Sequence, residues 1–449
     1  MADEEGLPDH HPVFRRLPLS GLHRRGGPRG HPPHPGGRVS MSRPWIVLAF
    51  LTGVNLLNYI DRQILYAVFP PIQAELGLSD TQLGLLASAF MWVYLSTAPI
   101  FGLLADRWSR PRLMGLGVAI WSVATAFSGV VRSHAQLLLG RAAVGIGEAS
   151  YGAVAPAMLS DYFPPARRGG ALAAFSMAIP VGSALGYLLG GILERAFGWR
   201  AAFFVVAVPG LLLAWSVSRM SEPKRGGLEG VVGPAGGRSA PRAGDYLELF
   251  RTRSYVLNCL AMTAMTFAVG GLAAWVPTYL VRVRGMELAQ ANLTFGLLTL
   301  ISGVGGTLAG GWIGDRLLAR VRSAYFLVSG VGLLLSAPCA AAVILVEDRT
   351  WVLAAIFLAE ILIFLNTGPL NAIIANVSRA EVRATAYAAN IFIIHALGDA
   401  VSPAVVGAAS DRVGLAAAFW IAPAALALAA GFCFWGMRYL PADVGRLRA

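Results

Sequence analysis

The chain has 449 residues, of which 56% are hydrophobic and 13% are charged, and its formal net charge is +12. Its mean hydropathy is +0.61. Soluble domains carry about 25% charged residues and disordered chains are poor in apolar ones, so the composition excludes both classes. At roughly 20 residues per membrane-spanning helix, the hydrophobic residues suffice for about twelve spans. The composition therefore predicts an all-α polytopic membrane protein.

The chain begins with a polar segment, residues 1–43, that is rich in Pro, Gly, His and Arg. We expect this segment to be a disordered cytoplasmic tail. Hydrophobic runs bounded by charges or by Pro and Gly follow it, at 45–69, 82–104, 113–131, 136–158, 170–193 and 200–218. These runs predict a first six-helix bundle over residues 44–218.

A Gly- and Pro-rich break with seven basic residues follows, over residues 219–253, and is typical of a cytoplasmic linker. Six further hydrophobic runs lie at 255–281, 291–313, 323–346, 351–376, 384–408 and 415–437. They predict a second six-helix bundle over residues 254–438. A short cytoplasmic tail, residues 439–449, is expected to end the chain.

Basic residues are distributed unequally between alternating loops. With both termini inside, the inner segments hold 27 Lys and Arg residues and the outer loops hold 7. Because inner loops are enriched in basic residues, this distribution predicts that both termini are cytoplasmic. It also explains the net charge without nucleic acid as a partner. The single lysine, Lys224, is followed by Arg225, so a Walker-type loop is absent and no nucleotide or other cofactor is expected.

The pattern Gly-x-x-x-acid-Arg closes the second, fifth, eighth and eleventh predicted helices, at 102–107, 190–195, 311–316 and 407–412. The second and eighth helices end inside, whereas the fifth and eleventh end outside. Equivalent ends on opposite sides of the membrane are what inverted three-helix repeats require. The sequence therefore predicts that each six-helix bundle is built from two inverted repeats.

Four motifs carry a resemblance to a known family. They are GLLADRWSRPR (102–112), its weaker copy GWIGDRLLAR (311–320), GRAAVGIGEA (140–149) and DYFPPARRGGALA (161–173). Over about 45–438 the chain resembles the major facilitator superfamily (MFS), which implies the MFS fold. The resemblance also implies a cytoplasmic conformational lock of inter-helix contacts, formed by Gly102, Asp106, Arg107, Arg110, Arg112, Asp315 and Arg316. The alternative is that these charges only anchor the inner side of the membrane.

A narrower resemblance lies in the first helix, NLLNYIDRQILYAVFPPIQAELGLS (55–79), and in GIGEASY (145–151). Both strings are similar to the Spinster-like branch, whose animal members move lysophospholipids and sphingosine-type lipids. A related first-helix string also occurs in organic anion:proton symporters. The resemblance thus implies a lipid transporter, with a small organic anion symporter as the alternative.

Six ionisable groups lie inside the predicted spans, where a charge is costly and usually faces a cavity or a partner. At 1.5 Å per residue, Asp61 and Arg141 lie roughly 12 Å and 8 Å from the outer ends of their helices and can pair. Glu148 follows Arg141 by two turns on the same face. We expect Glu148 and Asp61 to carry proton coupling, with Arg141 and Arg62 as counter-charges or as ligands for a substrate phosphate or carboxylate. The alternative is a permanent ion pair that joins two helices.

Other polar residues in the spans are weaker candidates for the cavity wall. In the first half they are Asn58, Tyr59 and Tyr151, and in the second half Glu360, Asn366, His395 and Asp399, together with Trp275. Packing explains each of them about as well.

Glycines recur every four residues in two predicted helices, the fifth and the eighth. They are Gly182, Gly186 and Gly190, and Gly306, Gly310 and Gly314. Small residues at this spacing predict close helix contacts, which could slide during transport.

Taken together, these features predict a monomeric secondary active transporter that works by alternating access in the lipid bilayer. We expect it to be coupled to protons and to move a lysophospholipid or sphingosine-phosphate-like anion. A non-transporting sensor or a channel is the alternative from another class, although a channel needs no two-state lock. No enzymatic activity or metal is expected, since Gly-x-Ser-x-Gly and HExxH motifs are absent and the three cysteines are scattered. The abundance of Arg and Ala favours a bacterial inner membrane.

Overall fold

The computed structural model describes residues 42–223, 249–379 and 382–448. The predicted amino-terminal tail up to residue 41 and the middle of the predicted linker lie outside the described residues. The helices of the first half are α1 (Ser42–Ala67), α2 (Phe69–Leu76), α3 (Asp80–Arg107), α4 (Arg110–Ser128), α5 (His134–Tyr162), α6 (Pro165–Ser176), α7 (Ala178–Phe197) and α8 (Trp199–Ser218).

The second half repeats this pattern of long helices. Its helices are α9 (Arg253–Arg282), α10 (Leu288–Leu318), α11 (Ala324–Leu345), α12 (Arg349–Phe364), α13 (Thr367–Asn376), α14 (Arg383–Ile394), α15 (Ser402–Val413), α16 (Leu415–Ala418), α17 (Ile421–Gly436) and α18 (Leu440–Arg448). A π-helical segment, His395–Asp399, joins α14 to α15.

Ten helical segments in the described part of the chain are long and apolar enough to cross a membrane. Helices α4 and α5 complete twelve spans, and the lower apolar content of α5 reflects its buried Arg141 and Glu148. The fifth span consists of α6 and α7, the tenth of α12 and α13, and the eleventh of α14, the π segment and α15. The predicted all-α, twelve-span fold is confirmed.

The spans alternate between two ends of the bundle. We call the end that carries the loops 107–110 and 162–165 and the carboxyl end of α8 the linker end. The opposite end, with the loops 76–80, 282–288 and 413–415, is the far end. Helices α3, α4, α5 and α8 pack together in the first half, and α9, α11, α12 and α17 in the second. The most extensive contacts between the halves are made by two pairs of helices: α3 packs on α15, and α7 packs on α10.

Glycines allow helices to approach closely within each half. A Cβ atom at Gly186 of α7 would lie 2.8 Å from the carbonyl oxygen of Ile60 in α1, and one at Gly190 would lie 2.5 Å from Ala67 Cβ. In α10, Gly310 packs directly on the carbonyl of Leu365. That carbonyl lies at the break between α12 and α13, where Pro369 has no N–H to donate four residues back. The tenth span therefore bends where α10 crosses it.

Candidate functional site

Four charged side chains meet between α1 and α5 in the first half. Consecutive residues on α1, Asp61 and Arg62, face two residues that are seven positions apart on α5 and therefore share a face. Arg141 Nη1 lies 3.6 Å from Asp61 Oδ1. Arg62 Nε donates a hydrogen bond to Glu148 Oε2 at 2.7 Å. The four residues thus form two ion pairs that join the same two helices.

Of these four side chains, Arg62 is the most accessible. Asp61 and Glu148 are fully buried, and Arg141 is 1% exposed, whereas the Arg62 side chain is 16% exposed. The second oxygen of Glu148, Oε1, and Arg141 Nε are buried without a hydrogen-bond partner among the atoms that the structure describes. The site therefore holds one reachable cation beside a carboxylate with unused bonding capacity.

Aromatic rings surround the Arg62 guanidinium. Its Cζ lies 5.0 Å from the ring centroid of Tyr59, 4.9 Å from that of Phe90 and 5.1 Å from that of Tyr94. The ring centroid of Phe90 also lies 5.1 Å from Arg141 Cζ, so the same ring contacts both arginines. Cation–π attraction of this kind stabilises a partly desolvated guanidinium. The rings give the cation an apolar wall without removing its charge.

In the second half, Glu360 has a hydroxyl partner rather than a cation. Thr299 Oγ1 donates to Glu360 Oε1 at 2.8 Å, and Oε2 is buried without a partner among the described atoms. Glu360 borders a cavity of about 30 Å³ whose other walls are apolar, with Val276, Phe295 and Phe419 among them. The carboxyl group therefore faces an environment that favours its neutral form.

The π-helical segment brings two further predicted residues together. His395 Nδ1 lies 2.9 Å from Asp399 Oδ1, and both side chains are partly exposed. The π-helical segment packs on α3 of the first half, where Ala396 and Ala400 cluster with Leu95. This pair therefore faces the first half, whereas Asn366 is buried and bonds to the backbone carbonyl of Ile363.

Two of the predicted wall residues lie in packed interiors instead. Tyr151 is 1% exposed, contacts Trp121 edge-on and donates to the carbonyl of Leu51. Trp275 is fully buried and donates to the carbonyl of Pro403. Their hydrogen bonds are satisfied by the backbone, so we assign them to packing and not to the substrate site. Asn58 is also buried.

The residues predicted to form the cytoplasmic lock lie at the linker end. Arg110 Nη1 lies 2.5 Å from Asp161 Oδ2 and joins α4 to α5, and Tyr325 Oη donates to Asp315 Oδ1 at 2.9 Å and joins α11 to α10. The Arg316 guanidinium lies over the Trp312 ring. Four further residues of the predicted lock lie beside the loop 107–110: Gly102, Asp106, Arg107 and Arg112. The last three are exposed.

A polar network at the far end was missed by the sequence analysis. The backbone N–H groups of Asp80 and Thr81, at the start of α3, both donate to the Asp411 carboxylate at 2.8 Å. The Asp80 carboxylate in turn accepts from Ser410 at 2.5 Å and from Arg282 at 2.8 Å. The network ties the first half to the second. The sequence did contain an indication of it, because Asp411 belongs to the fourth copy of the Gly-x-x-x-acid-Arg motif.

Two buried amide and hydroxyl contacts reinforce this closure. Asn292 Nδ2 donates to the carbonyl of Ala67 at 2.9 Å, and Tyr187 Oη donates to the carbonyl of Ala273 at 2.7 Å. Each contact joins a helix of one half to a helix of the other, the first near the far end and the second about midway along α7. The structure is thus a conformation in which the far end of the bundle is closed.

The sequence model of the Major Facilitator Superfamily matches residues 51–403. The chain belongs to this superfamily. It is 37% identical to protein spinster homolog 3 of Danio rerio over 84% of this chain and 78% of that protein. It is 34% identical to the sphingosine-1-phosphate transporter SPNS2 of Danio rerio over 82% of this chain and 77% of that protein.

A solved structure shows the same fold. The crystal structure of a bacterial homologue of the human lysosomal transporter Spinster, in an inward-facing and unoccupied conformation, matches with a TM-score of 0.79 and 24% identity. The match covers 90% of this chain and 99% of that one. This chain is therefore an MFS transporter of the Spinster type and an integral, multi-pass membrane protein.

Proposed function

We propose that this Spinster-type transporter moves an anionic amphipathic lipid, such as a lysophospholipid or a sphingosine-phosphate-like molecule, together with protons. The proposal rests on the surroundings of Arg62. It is a reachable cation, it is held by a buried carboxylate, and aromatic rings surround it. The relative named as a sphingosine-1-phosphate transporter supports the substrate class, because that lipid combines an anionic head with an apolar tail.

The substrate's head is proposed to bind at Arg62. A guanidinium keeps its charge and presents a planar set of donors that matches the oxygens of a phosphate. The partly exposed rings of Tyr59 and Tyr94 beside it offer the apolar surface that the first carbons of a lipid tail would contact. Arg141 is sealed behind Phe90 and is proposed to act as a counter-charge for Asp61.

Competition for Arg62 would couple the anion to a proton. While Glu148 is charged, it occupies Arg62 Nε. Protonation neutralises Glu148, weakens this contact and releases the guanidinium for an anionic ligand. A proton and an anion would then bind together and cross together, which is symport. Asp61, paired with Arg141, is proposed as a second proton acceptor.

The two ends of the bundle are proposed to alternate. The far-end network of Asp80, Asp411 and Arg282 would hold the present conformation, in which the far end is closed. By resemblance to the family, the residues of the linker-end lock, Asp106 and Arg107 among them, would hold the opposite one. The closely packed glycines of α7 would allow the helices to slide between the two.

Reconstitution into liposomes with an imposed pH gradient tests the proposal. We expect uptake of sphingosine-1-phosphate or lysophosphatidylethanolamine to rise with a proton gradient directed along transport, and Arg62→Gln to abolish it. Arg219→Gln, which removes an arginine stacked on Trp215 at the linker end, is the matched control. Uptake of small dicarboxylates alone would instead establish the organic anion symporter, and uptake of neither class would contradict the proposal.

We also propose that the protein resides as a monomer in a bacterial inner membrane, with both termini cytoplasmic and without catalytic activity. The excess of basic residues on the linker-end loops supports this orientation. Fusions of a fluorescent protein and of alkaline phosphatase to the carboxyl terminus test it. We expect fluorescence without phosphatase activity, and the converse would reverse the topology.

A further inference from the structure

Three buried hydroxyl groups lie along α4, at Ser122, Thr125 and Ser128. Ser122 Oγ donates to the carbonyl of Val118 at 2.7 Å, and Ser128 Oγ donates to the carbonyl of Ala124 at 3.0 Å. Both serines therefore bond to the carbonyl four residues earlier, which is the usual local partner of a hydroxyl inside a helix.

Thr125, between these serines, departs from the pattern. Its Oγ1 donates to Asp61 Oδ2 of α1 at 2.5 Å. Thr125 is 1% exposed and Asp61 is fully buried, so bulk water does not compete for this contact. A hydroxyl that gives up its local partner for a carboxylate on another helix orients that carboxylate.

The groups that act on Asp61 come from each helix packed around it. Arg141 and Glu148 face it from α5, and Arg62 is its neighbour on α1. The helices α7 and α8 bring glycines to their contacts with α1. Arg141 Nη1, at 3.6 Å from Asp61 Oδ1, forms an ion pair that is too long for a hydrogen bond. Thr125 therefore supplies the short hydrogen bond to the carboxylate.

We propose that Thr125 is a positioning residue that sets the pH range over which Asp61 takes up a proton. This inference rests on the proposed proton-coupled function. With Asp61 charged, the hydroxyl donates to it and favours the charged form. When Asp61 takes up a proton, the hydroxyl can turn back to the Trp121 carbonyl four residues earlier, as its neighbours Ser122 and Ser128 do. The protonated Asp61 carboxyl can then donate to Thr125 Oγ1, so neither of these two hydroxyl groups is left without an acceptor.

Infrared titration of the purified full-length protein in lipid nanodiscs tests this assignment without a substrate. The readout is the carbonyl band of a protonated carboxyl group that disappears in Asp61→Asn. Thr125→Val keeps the side-chain shape and removes the donor, so we expect the titration midpoint of this band to rise by about one pH unit. Thr125→Ser should restore the wild-type midpoint, and Ser122→Ala, which removes a hydroxyl bonded to its own helix, should leave it unchanged.

Two results would overturn the inference. The midpoint could be the same in Thr125→Val and in the wild type, or Thr125→Ser could shift it as far as Thr125→Val does, which would assign the effect to packing. A wild-type protein in which no band depends on Asp61 at any pH would instead overturn the proposed role of Asp61 as a proton acceptor, and the role of Thr125 with it. If Thr125→Val does not fold, Thr125→Ala provides the same comparison.

Discussion

Within their spans, the two halves of the molecule hold their buried acidic groups in opposite ways. In the first half, Asp61 and Glu148 are each paired with an arginine of the facing helix. In the second half, Glu360 is bonded by the hydroxyl of Thr299 beside an apolar cavity. A buried ion pair needs both partners to be charged, whereas a carboxyl group bonded to a hydroxyl can remain neutral. The two halves share a fold, but the buried carboxyl groups of the first half are paired with arginines and Glu360 of the second half is bonded to a hydroxyl.

We propose that this difference gives the two halves different parts in transport. In the first half, an anion that binds Arg62 must displace Glu148, and a proton on Glu148 makes that displacement easier. In the second half, Glu360 is the polar group of an otherwise apolar cavity of about 30 Å³, which is too small for a lipid tail. Breaking the pairs in the first half should therefore cost far more than matching changes in the second.

The largest expected effect comes from the contact between α7 and α1, the helix that carries Asp61 and Arg62. Replacing Gly186 by Leu would force a side chain into the Ile60 carbonyl of α1, because even a Cβ atom there would lie 2.8 Å from it. We expect transport to fall to background while membrane insertion is retained, as measured by uptake and by the amount of protein in the membrane fraction. Gly431→Leu in α17, where a Cβ atom would meet nothing within 4 Å, is the matched control. Full activity of Gly186→Leu would refute the close-contact role.

The next effect is on stability. Arg141→Gln leaves the buried Asp61 without its cation, and removing one partner of a buried pair costs about 3–5 kcal/mol. The matching change in the second half, Thr299→Val, removes one hydrogen bond and should cost about 1 kcal/mol. Thermal unfolding in detergent measures both, and the double variant Asp61→Asn/Arg141→Gln should recover most of the loss. Equal costs for the two single variants would erase the contrast between the halves.

A smaller effect concerns ligand affinity. Arg62→Gln removes the proposed head-group cation, and since a hydrogen bond to a charged group contributes about 1.5–3 kcal/mol, binding should weaken about 10- to 100-fold. His395→Gln, on the facing wall of the second half, should weaken it less than about tenfold. Calorimetry with lysophosphatidylethanolamine measures both. A greater loss in His395→Gln would move the head-group site into the second half.

The smallest effect is a pH dependence at the far end of the first half. Hydrogen bonds from Arg200 and Trp199 hold the pKa of Glu75 below its ordinary value of 4.5. Their stabilisation is therefore complete above pH 4.5 and is lost as the pH falls through the lower folded value. Since Glu75 is half exposed, the contribution is at most about 1 kcal/mol. Glu75→Gln should lower Tm slightly at neutral pH and flatten its fall in acid, and an unchanged acid limb would count against this.

Much of the fold could be predicted from the sequence, because hydrophobic length and loop charge fix the spans and their alternation. The four charged residues of the first half could also be selected, since ionisable groups are rare within spans. The partner of Arg62 could not be predicted. Asp61 and Arg62 point about 100° apart on their helix, and the packing of α1 on α5 decides which residue of α5 each of them faces. The contact of Thr125 with Asp61 could not be predicted either, since a threonine in a span ordinarily bonds to the backbone of its own helix.

The far-end network shows a different limit. Asp80 and Asp411 are 331 residues apart, and their contact depends on the conformation that the two halves adopt. The repeat placed Asp411 at a helix end, but the repeat alone does not say which helix start that carboxylate caps.

Uptake by the Glu148→Gln variant tests the central claim most directly. Glutamine resembles the protonated glutamate, so Arg62 would stay available for the anion and anion binding would no longer depend on a proton at this position. In liposomes loaded with unlabelled sphingosine-1-phosphate, we expect exchange with labelled lipid to continue, whereas accumulation driven by a pH gradient should be abolished. Gradient-driven accumulation at the wild-type rate in Glu148→Gln would contradict the account.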